Sequence, residues 1–438
     1  MTDLQDRPPG APYDGRPTVA VIGGGVSGLT AAYLLQRTHH VTLFEADPRV
    51  GGHAHTHDVP TRSGGTVPVD SGFIVLNDRT YPLLRRLFDE LGVRTRPTEM
   101  SMNITCSGCG LSYTGGRRAD GIFAQRRRAV DPTFWRLLLA IRSFQKQALG
   151  FLEEHPASPT SYGDFLAERG FDRHFVTHYA LPVVSCVWSM GHTEALAYPA
   201  SYLFAFLRHH GFLTLGDAPT WHTVVGGSRS YVEAVTRRLD AVRPGTRVTA
   251  VSRKPDGVEI DSRPHDGGAN EHHVFDKVVV ATHADDALRL LTDAGDDERE
   301  LLGAFGYSTN VAWLHRDGSA LPEDPRARAS WNYGLEDCDT VTDRTRVSYW
   351  MNRLQGHDEE EPLVVTLNPG TGPDPERVIA RMTYQHPTYT AESVAAQRRL
   401  GTLNGDRIAF AGAYQGWGFH EDGCRSGVAA AEALGVSW

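Results

Sequence analysis

Three glycines, Gly23, Gly25 and Gly28, stand on a GxGxxG spacing directly behind the run Val19-Ala20-Val21-Ile22. Glycine here serves close approach rather than reaction. The first permits a tight turn, the second lets the main chain come up against a diphosphate, and the third lets the next helix pack close to the strand. Ser27 sits inside the same turn, and Glu45 comes at the distance where an acidic side chain grips a ribose hydroxyl. Two other groupings could do different chemistry. His53, His55 and His57 alternate as they would along one face of a strand, a spacing that can present imidazoles to a metal. Cys106-Ser107-Gly108-Cys109 is a CxxC, the spacing of half a zinc site or of a redox pair. Neither grouping has a second ligand cluster beside it in the sequence, so the preferred expectation is no metal, with the CxxC a tight hairpin turn carrying two ordinary thiols.

The glycines need a strand behind them and a helix ahead. Val19-Ala20-Val21-Ile22 supplies a buried parallel strand, Leu29-Thr30-Ala31-Ala32-Tyr33-Leu34-Leu35 an apolar helix, and Val41-Thr42-Leu43-Phe44 the next strand, which ends at Glu45. Apolar residues at helical spacing over 81–91 end at Gly92, and 131–151 and 161–171 are again helical, so a mostly helical insertion is expected between about 81 and 220. Residues 247–251 and 275–283 return to strands. Asn310-Val311-Ala312-Trp313-Leu314, 347–351 and 363–367 read as a second sheet forming one wall of a pocket. A last strand and helix run from Ile408 to Leu434.

The 438 residues, 40% of them hydrophobic, suffice for two packed domains. A net charge of −9 without long basic runs gives no footprint for nucleic acid. The one dense basic stretch, 116–128, reads as a solvated surface, with transient contact to acidic lipid as the other reading. No segment approaches the roughly 20 apolar residues that span a bilayer. Residues 1–17 are polar and proline-rich without a signal-peptide core, so a disordered tail and a cytoplasmic protein are expected. Five cysteines are too few, and odd in number, for a secreted disulfide framework.

The stretch Glu45-Ala46-Asp47-Pro48-Arg49-Val50-Gly51-Gly52-His53 resembles the EAxxxxGGR extension of the flavoprotein superfamily that contains monoamine oxidases, protoporphyrinogen oxidases and phytoene desaturases, with His53 in place of the usual Arg. That resemblance implies FAD as a resident cofactor, with Gly51 and Gly52 passing beside it. Asp70-Ser71-Gly72-Phe73 resembles the D-x-G step along the flavin edge, and Val248 is similar in place to the valine that clamps the adenine. Thr282 lies in the loop leaving the 275–283 strand. Ala411-Gly412-Ala413 and Gly418-Phe419-His420-Glu421-Asp422-Gly423 resemble the C-terminal FAD motif, with Ala413 where an acid is usual and Asp422 where a glycine is usual. In the superfamily this last helix points its N-terminus at the flavin's pyrimidine carbonyl. The implied fold is amine oxidase-like and α/β. A discontinuous Rossmann-like FAD-binding domain (18–80, 221–290 and 401–438) carries an inserted α+β substrate domain (81–220 and 291–400).

Amine oxidases of the superfamily hold a water at flavin N5 with a lysine. Here only Lys146, Lys254 and Lys277 exist, and the comparable position is Asn310, which disfavours that mechanism. In the segment that resembles the superfamily's substrate-facing loop, Trp417 and Phe419 are candidates for a pocket wall and His420 and Glu421 for proton transfer. The alternative makes Trp417 core and the acids a solvated loop. The stretch 182–212, rich in apolar residues with Trp188, Tyr202 and Phe206 among them, is either ordinary core or the lining of a hydrocarbon tunnel.

Val187-Trp188-Ser189-Met190, Tyr198-Pro199-Ala200, Ala329-Ser330-Trp331-Asn332-Tyr333 and Tyr349-Trp350-Met351-Asn352 resemble a bacterial subfamily of predicted NAD/FAD-binding amine-oxidase-like proteins, often encoded beside cyclopropane-fatty-acyl-synthase-like methyltransferases. The resemblance implies an FAD-dependent oxidoreductase acting by dehydrogenation or isomerisation on a small hydrophobic lipid or acyl substrate, with an acyl-lipid methyltransferase as a possible partner. An amine or amino acid oxidase is the alternative, and a non-catalytic flavoprotein partner of a lipid-modifying enzyme is the alternative of another class.

Overall fold

A computed structural model describes residues 15–438 apart from positions 63, 118, 215, 217, 340 and 371, so nearly all of the expected tail and position 118 of the basic stretch lie outside the described residues. The strand Thr18–Ile22 is buried at every position, as a continuous β-branched run predicts for the middle of a parallel sheet. It pairs in parallel with His40–Phe44 on one side and Lys277–Val280 on the other. Ala241–Arg243 and Ile408–Phe410 close the two edges, also in parallel, so distant parts of the chain meet in one Rossmann-type sheet.

Helix α1 (Val26–Leu35) leaves the first strand through the glycine turn and is buried almost all round. Helix α2 (Pro82–Leu91) places Leu84, Leu87, Phe88 and Leu91 on one face and ends at Gly92, whose φ of +70° is the left-handed C-terminal cap that the glycine predicts. That face packs into the core formed by Val19, Leu29 and Val279, so α2 lies with the nucleotide sheet although the substrate domain was expected to begin at 81.

The inserted domain is built on a seven-stranded sheet. Its order is Val378–Thr388, Gly306–His315, Val364–Leu367, Val347–Trp350, Trp331–Leu335, Met102–Cys106 and Leu111–Gly115. All neighbours are antiparallel except Trp331–Leu335 and Met102–Cys106. The expected strands of the second sheet are present. The expected mostly helical insertion instead opens with strands, because the 102–115 hairpin buries polar side chains and so hides its alternation. Thr105 donates to Asn103 Oδ1 at 2.7 Å, and the Asn103 amide donates to Ser112 Oγ at 3.2 Å.

Beyond the hairpin, α3 (Pro132–Glu154) starts where Asp131 accepts the Thr133 N–H at 2.9 Å. The apolar stretch 182–212 is not one helix. It is broken into α4 (Leu181–Trp188), a short turn of helix, and α5 (Ala200–His209), with the breaks at Ser189, at φ +56°, and at Pro199. The chain then returns to the parallel sheet and ends in α6 (His420–Ala433), packed along α1.

Candidate active site

Helix α1 begins at Gly25, which offers no side-chain cap, and its first turn holds no acid, so its N–H groups and the positive end of its dipole face outward. The three motif glycines are glycine for different reasons. A Cβ on Gly23 would lie 2.5 Å from the Ala281 carbonyl oxygen and one on Gly28 1.9 Å from that of Gly23, whereas one on Gly25 meets nothing within 4 Å. Gly25 thus keeps clear the space in front of the helix, the place for a diphosphate. Helix α6 converges on the same point: a Cβ on Gly423 would lie 2.6 Å from Val26 Cγ1, and one on Gly427 2.4 Å from the Ser27 carbonyl oxygen. Two helix N-termini therefore meet.

The glycine doublet hooks onto this turn. Gly51 N–H donates to the Gly24 carbonyl at 2.9 Å, and a Cβ on Gly52, at φ +55°, would lie 3.2 Å from Gly25 Cα. Phe73 N–H donates to the His53 carbonyl at 2.8 Å, and a Cβ on Gly72 would lie 2.2 Å from that oxygen. Glu45, followed by Ala46, accepts the N–H groups of Gly24 at 2.8 Å and Asp47 at 2.9 Å, and burial raises its carboxyl pKa. Thr246 N–H donates to the Glu45 carbonyl at 2.8 Å, which starts the strand that carries the buried Val248.

At the other end, Gly412 N–H donates to Ser426 Oγ at 2.9 Å, and Ala413 accepts the Gly418 N–H at 3.2 Å. Asp422, standing where a glycine is usual, accepts the Phe419 N–H at 3.1 Å and pairs with Arg425, so its carboxylate caps its own helix. Thr282 spends its hydroxyl on the His283 carbonyl at 3.0 Å. The set fits a dinucleotide: a cleared glycine turn, two helix N-termini, an acid at the strand end, and a buried His53 Nε2 with no partner among the described residues.

Four histidines gather beside this cradle. His53 has its ring 5.3 Å from that of His386 and 4.9 Å from that of Tyr384. Burial, followed by His386, His283 and His420, holds its pKa well below the ordinary value. His283 stacks on Tyr307 at 4.3 Å, and burial likewise lowers it. Burial and then His283 push His386 down to about 4.

A chain of amides sets the tautomer of His386. Val311 N–H donates to Asn368 Oδ1 at 3.1 Å, Asn368 Nδ2 donates to Asn310 Oδ1 at 2.7 Å, and Asn310 Nδ2 donates to His386 Nδ1 at 3.1 Å. A backbone N–H thus fixes each orientation in turn and leaves the His386 proton on Nε2. Asn368, at φ +46°, is held in the left-handed region within this chain.

The two expected proton-transfer residues part company. His420 stacks on Phe73 at 3.7 Å with Nε2 3.3 Å from the Tyr231 hydroxyl, and burial pushes its pKa down to about 3. Glu421 turns away. Its carboxylate accepts the N–H groups of Leu83 at 3.0 Å and Leu84 at 2.9 Å, capping α2, whose own N-cap Tyr81 offers no side-chain bond. The geometry therefore gives Glu421 a structural tie between α6 and α2 where proton transfer was expected.

Trp188, Tyr202, Phe206 and Trp417 come together. Phe206 lies 4.6 Å from Trp188, 5.8 Å from Trp417 and 4.9 Å, stacked, from Phe419. Tyr202 donates to the Gly416 carbonyl at 2.8 Å, and Trp188 Nε1 donates to the Trp417 carbonyl at 3.2 Å. Tyr198 and Tyr389 complete the wall, 5.9 Å apart. The Tyr198 and Tyr389 hydroxyls and the Trp417 indole N–H are buried without a partner among the described residues. Sequence reasoning passed over Tyr384, His386, Tyr389 and Asn368. The alternation Met382, Tyr384, His386 along one face of Val378–Thr388 was the available signal.

Residues 26–378 match the family model of flavin containing amine oxidoreductases. Flavin-dependent L-tryptophan oxidase RebO of Lentzea aerocolonigenes is 25% identical over 334 residues, which is 69% of this chain and 66% of that protein. The chain spans two thirds or less of the length of the curated relatives it matches. Among solved structures, cyclohexylamine oxidase from Brevibacterium oxydans IH-35A superposes with a TM-score of 0.65 at 17% identity, covering 96% of this chain and 98% of that one. The CLA-producing fatty acid isomerase from P. acnes superposes with a TM-score of 0.64 at 17% identity, covering 95% and 98%. Family match, two-domain fold and glycine cradle agree: the chain belongs to the flavin containing amine oxidoreductase family, and FAD is its cofactor.

Proposed function

We propose that the protein is an FAD-dependent oxidase of a small amine or amino acid that carries a hydrophobic ring. The observation that carries this reading is the aromatic wall of Trp188, Tyr202, Phe206, Trp417 and Phe419, whose faces suit a substrate that carries a ring. The names of two similar proteins, a tryptophan oxidase and a cyclohexylamine oxidase, support the same class.

FAD, when bound, supplies the two-electron acceptor. The chain's residues do the rest. The glycine turn and the two helix N-termini hold the nucleotide, and the aromatic wall excludes water and orients the ring. His386 offers its Nε2–H beside the cradle, where burial keeps His53 and His420 neutral.

A second reading, an acyl-chain substrate worked on beside a methyltransferase partner, draws on the fatty acid isomerase likeness. It draws also on exposed Val130, Trp135 and Leu139 next to Arg126 and Arg127, a surface suited to anionic lipid. Anaerobic mixing of the holoprotein with ring-bearing amines and with unsaturated fatty acids separates the readings. Bleaching of the flavin by an amine, followed by peroxide on admitting air, is expected. Conversion of a fatty acid with no response to any amine would replace the proposal with the acyl reading, and no response to either panel would favour a structural FAD.

A further inference from the structure

Cys106, Cys109, His178 and Cys338 belong to three separate stretches of chain, yet their ligand atoms all lie within 4.8 Å of one another. We infer that these four side chains hold a zinc ion that staples the inserted domain together, at a site remote in role from the flavin.

Three of the six edges already have tetrahedral length, and the other three are no longer than 4.8 Å. Cys106 Sγ and Cys338 Sγ are 3.8 Å apart, and His178 Nε2 is 3.5 Å from Cys109 Sγ and 3.6 Å from Cys338 Sγ. Zinc with Zn–S bonds of about 2.3 Å and Zn–N bonds of about 2.0–2.1 Å has S···S edges of about 3.8 Å and S···N edges of about 3.5–3.6 Å. None of the cysteines is in a disulfide, and 3.8 Å is far from a bonded sulfur pair.

The surroundings prepare the ligands. His178 Nδ1 donates to the His174 carbonyl at 2.9 Å, which fixes the tautomer and leaves the Nε2 lone pair facing the thiols. That histidine sits on a single π-helical turn, Val176–Ala180, between ordinary helices. In the Cys-Ser-Gly-Cys knuckle a Cβ on Gly108 would stand 2.8 Å from Asp337 Cα, so glycine is what lets the knuckle close on the loop that carries Cys338. Three thiolates and an imidazole form a closed soft donor set, which selects zinc over hard cations and leaves no open position for catalysis.

The sequence distances explain why a lone CxxC gave no such site: 69 residues separate Cys109 from His178, and 232 separate Cys106 from Cys338. A zinc there joins the 102–115 hairpin, the helical segment that continues into α4 and Trp188, and the loop after Trp331–Leu335.

The test is the metal content of untagged holoprotein, purified from zinc-supplemented cells, by mass spectrometry alongside its FAD content. One zinc per chain is expected in the wild type, with loss to background in Cys338→Ser and Cys109→Ser while FAD stays at one per chain. Cobalt in place of zinc should give ligand-field bands at longer wavelength than the flavin absorbs, absent in Cys338→Ser. Should these variants not fold, alkylation of the wild type decides: zinc should protect Cys106, Cys109 and Cys338 together, and a chelator should expose them and lower the melting temperature. Wild type that stays free of zinc after incubation with it, or thiols alkylated equally fast with and without zinc, or a Cys106–Cys338 disulfide in the native protein, overturns the inference.

Discussion

Gly25 and Gly28 belong to one motif but tolerate a methyl group very differently. On Gly28 it would sit 1.9 Å from the Gly23 carbonyl oxygen, a clash between backbone and side chain that no rotamer relieves. On Gly25 it meets no protein atom, and the φ of −74° suits alanine. Gly25→Ala should therefore leave the melting of the FAD-free protein unchanged and cut FAD retention, read from bound flavin absorbance. Gly28→Ala should destabilise the FAD-free protein by about 3 kcal/mol. Equal effects of the two on the FAD-free protein would remove the distinction. The amide chain to His386 makes another residue-scale case. Asn310 donates to His386 Nδ1, so the imidazole keeps its proton on Nε2, while burial followed by His283 pushes its pKa down to about 4. An aspartate at 310 can only accept. Asn310→Asp should move the proton to Nδ1, and its negative charge should raise the His386 pKa toward the ordinary value of about 6.5, observed by NMR titration of the ring. A titration still near 4 would mean that the amide chain does not govern this histidine.

At the scale of elements, Glu421 links α6 to the N-terminus of α2, and burial pushes its pKa up to about 7 from 4.5. The folded state thus holds this proton more tightly than the unfolded chain. The stabilisation is fully present below pH 4.5 and is lost as pH rises through about 7, a swing on the order of 3 kcal/mol. Glu421→Gln keeps an oxygen to cap α2 and cannot ionise. Urea unfolding across this range should show wild type losing stability relative to the variant as pH rises, and parallel curves would refute the burial argument. The same residue marks a limit of reading elements locally. Helix α2 itself was legible from Leu84, Leu87, Phe88 and Leu91 and from Gly92, all within its own sequence. Its cap comes from a carboxylate 337 and 338 residues away, which no window along the chain contains.

For the molecule as a whole, the parallel sheet and the glycine cradle were legible because a β-branched run, a tight turn and an apolar helix are written in consecutive residues. The seven-stranded sheet was legible where its strands are β-branched and aromatic, as in Val347–Trp350 and Val364–Leu367; its 102–115 hairpin, polar and buried, was not. The histidine group and the cysteine group were illegible for a related reason, since each is assembled from strands and turns that only the tertiary fold brings together. That assembly also governs how the molecule should unfold. Ala20, Ile22 and Phe44, on one face of the nucleotide sheet, share a continuous core with Phe134, Phe144, Phe204 and Phe206 of the inserted domain. Val19, Val21 and Leu43, on the other face, pack with α1, α2 and α6. A domain pair joined by a common core lacks the weak interface that lets domains melt separately. Flavin release, loss of near-ultraviolet dichroism and loss of helical signal should therefore coincide in one transition. FAD added at about 100 times its dissociation constant should move that whole transition by about 2.7 kcal/mol, because the cofactor binds only the folded arrangement of both chain ends. An earlier melting step that releases FAD while the helical signal of the inserted domain persists would show that the shared core does not couple the two domains.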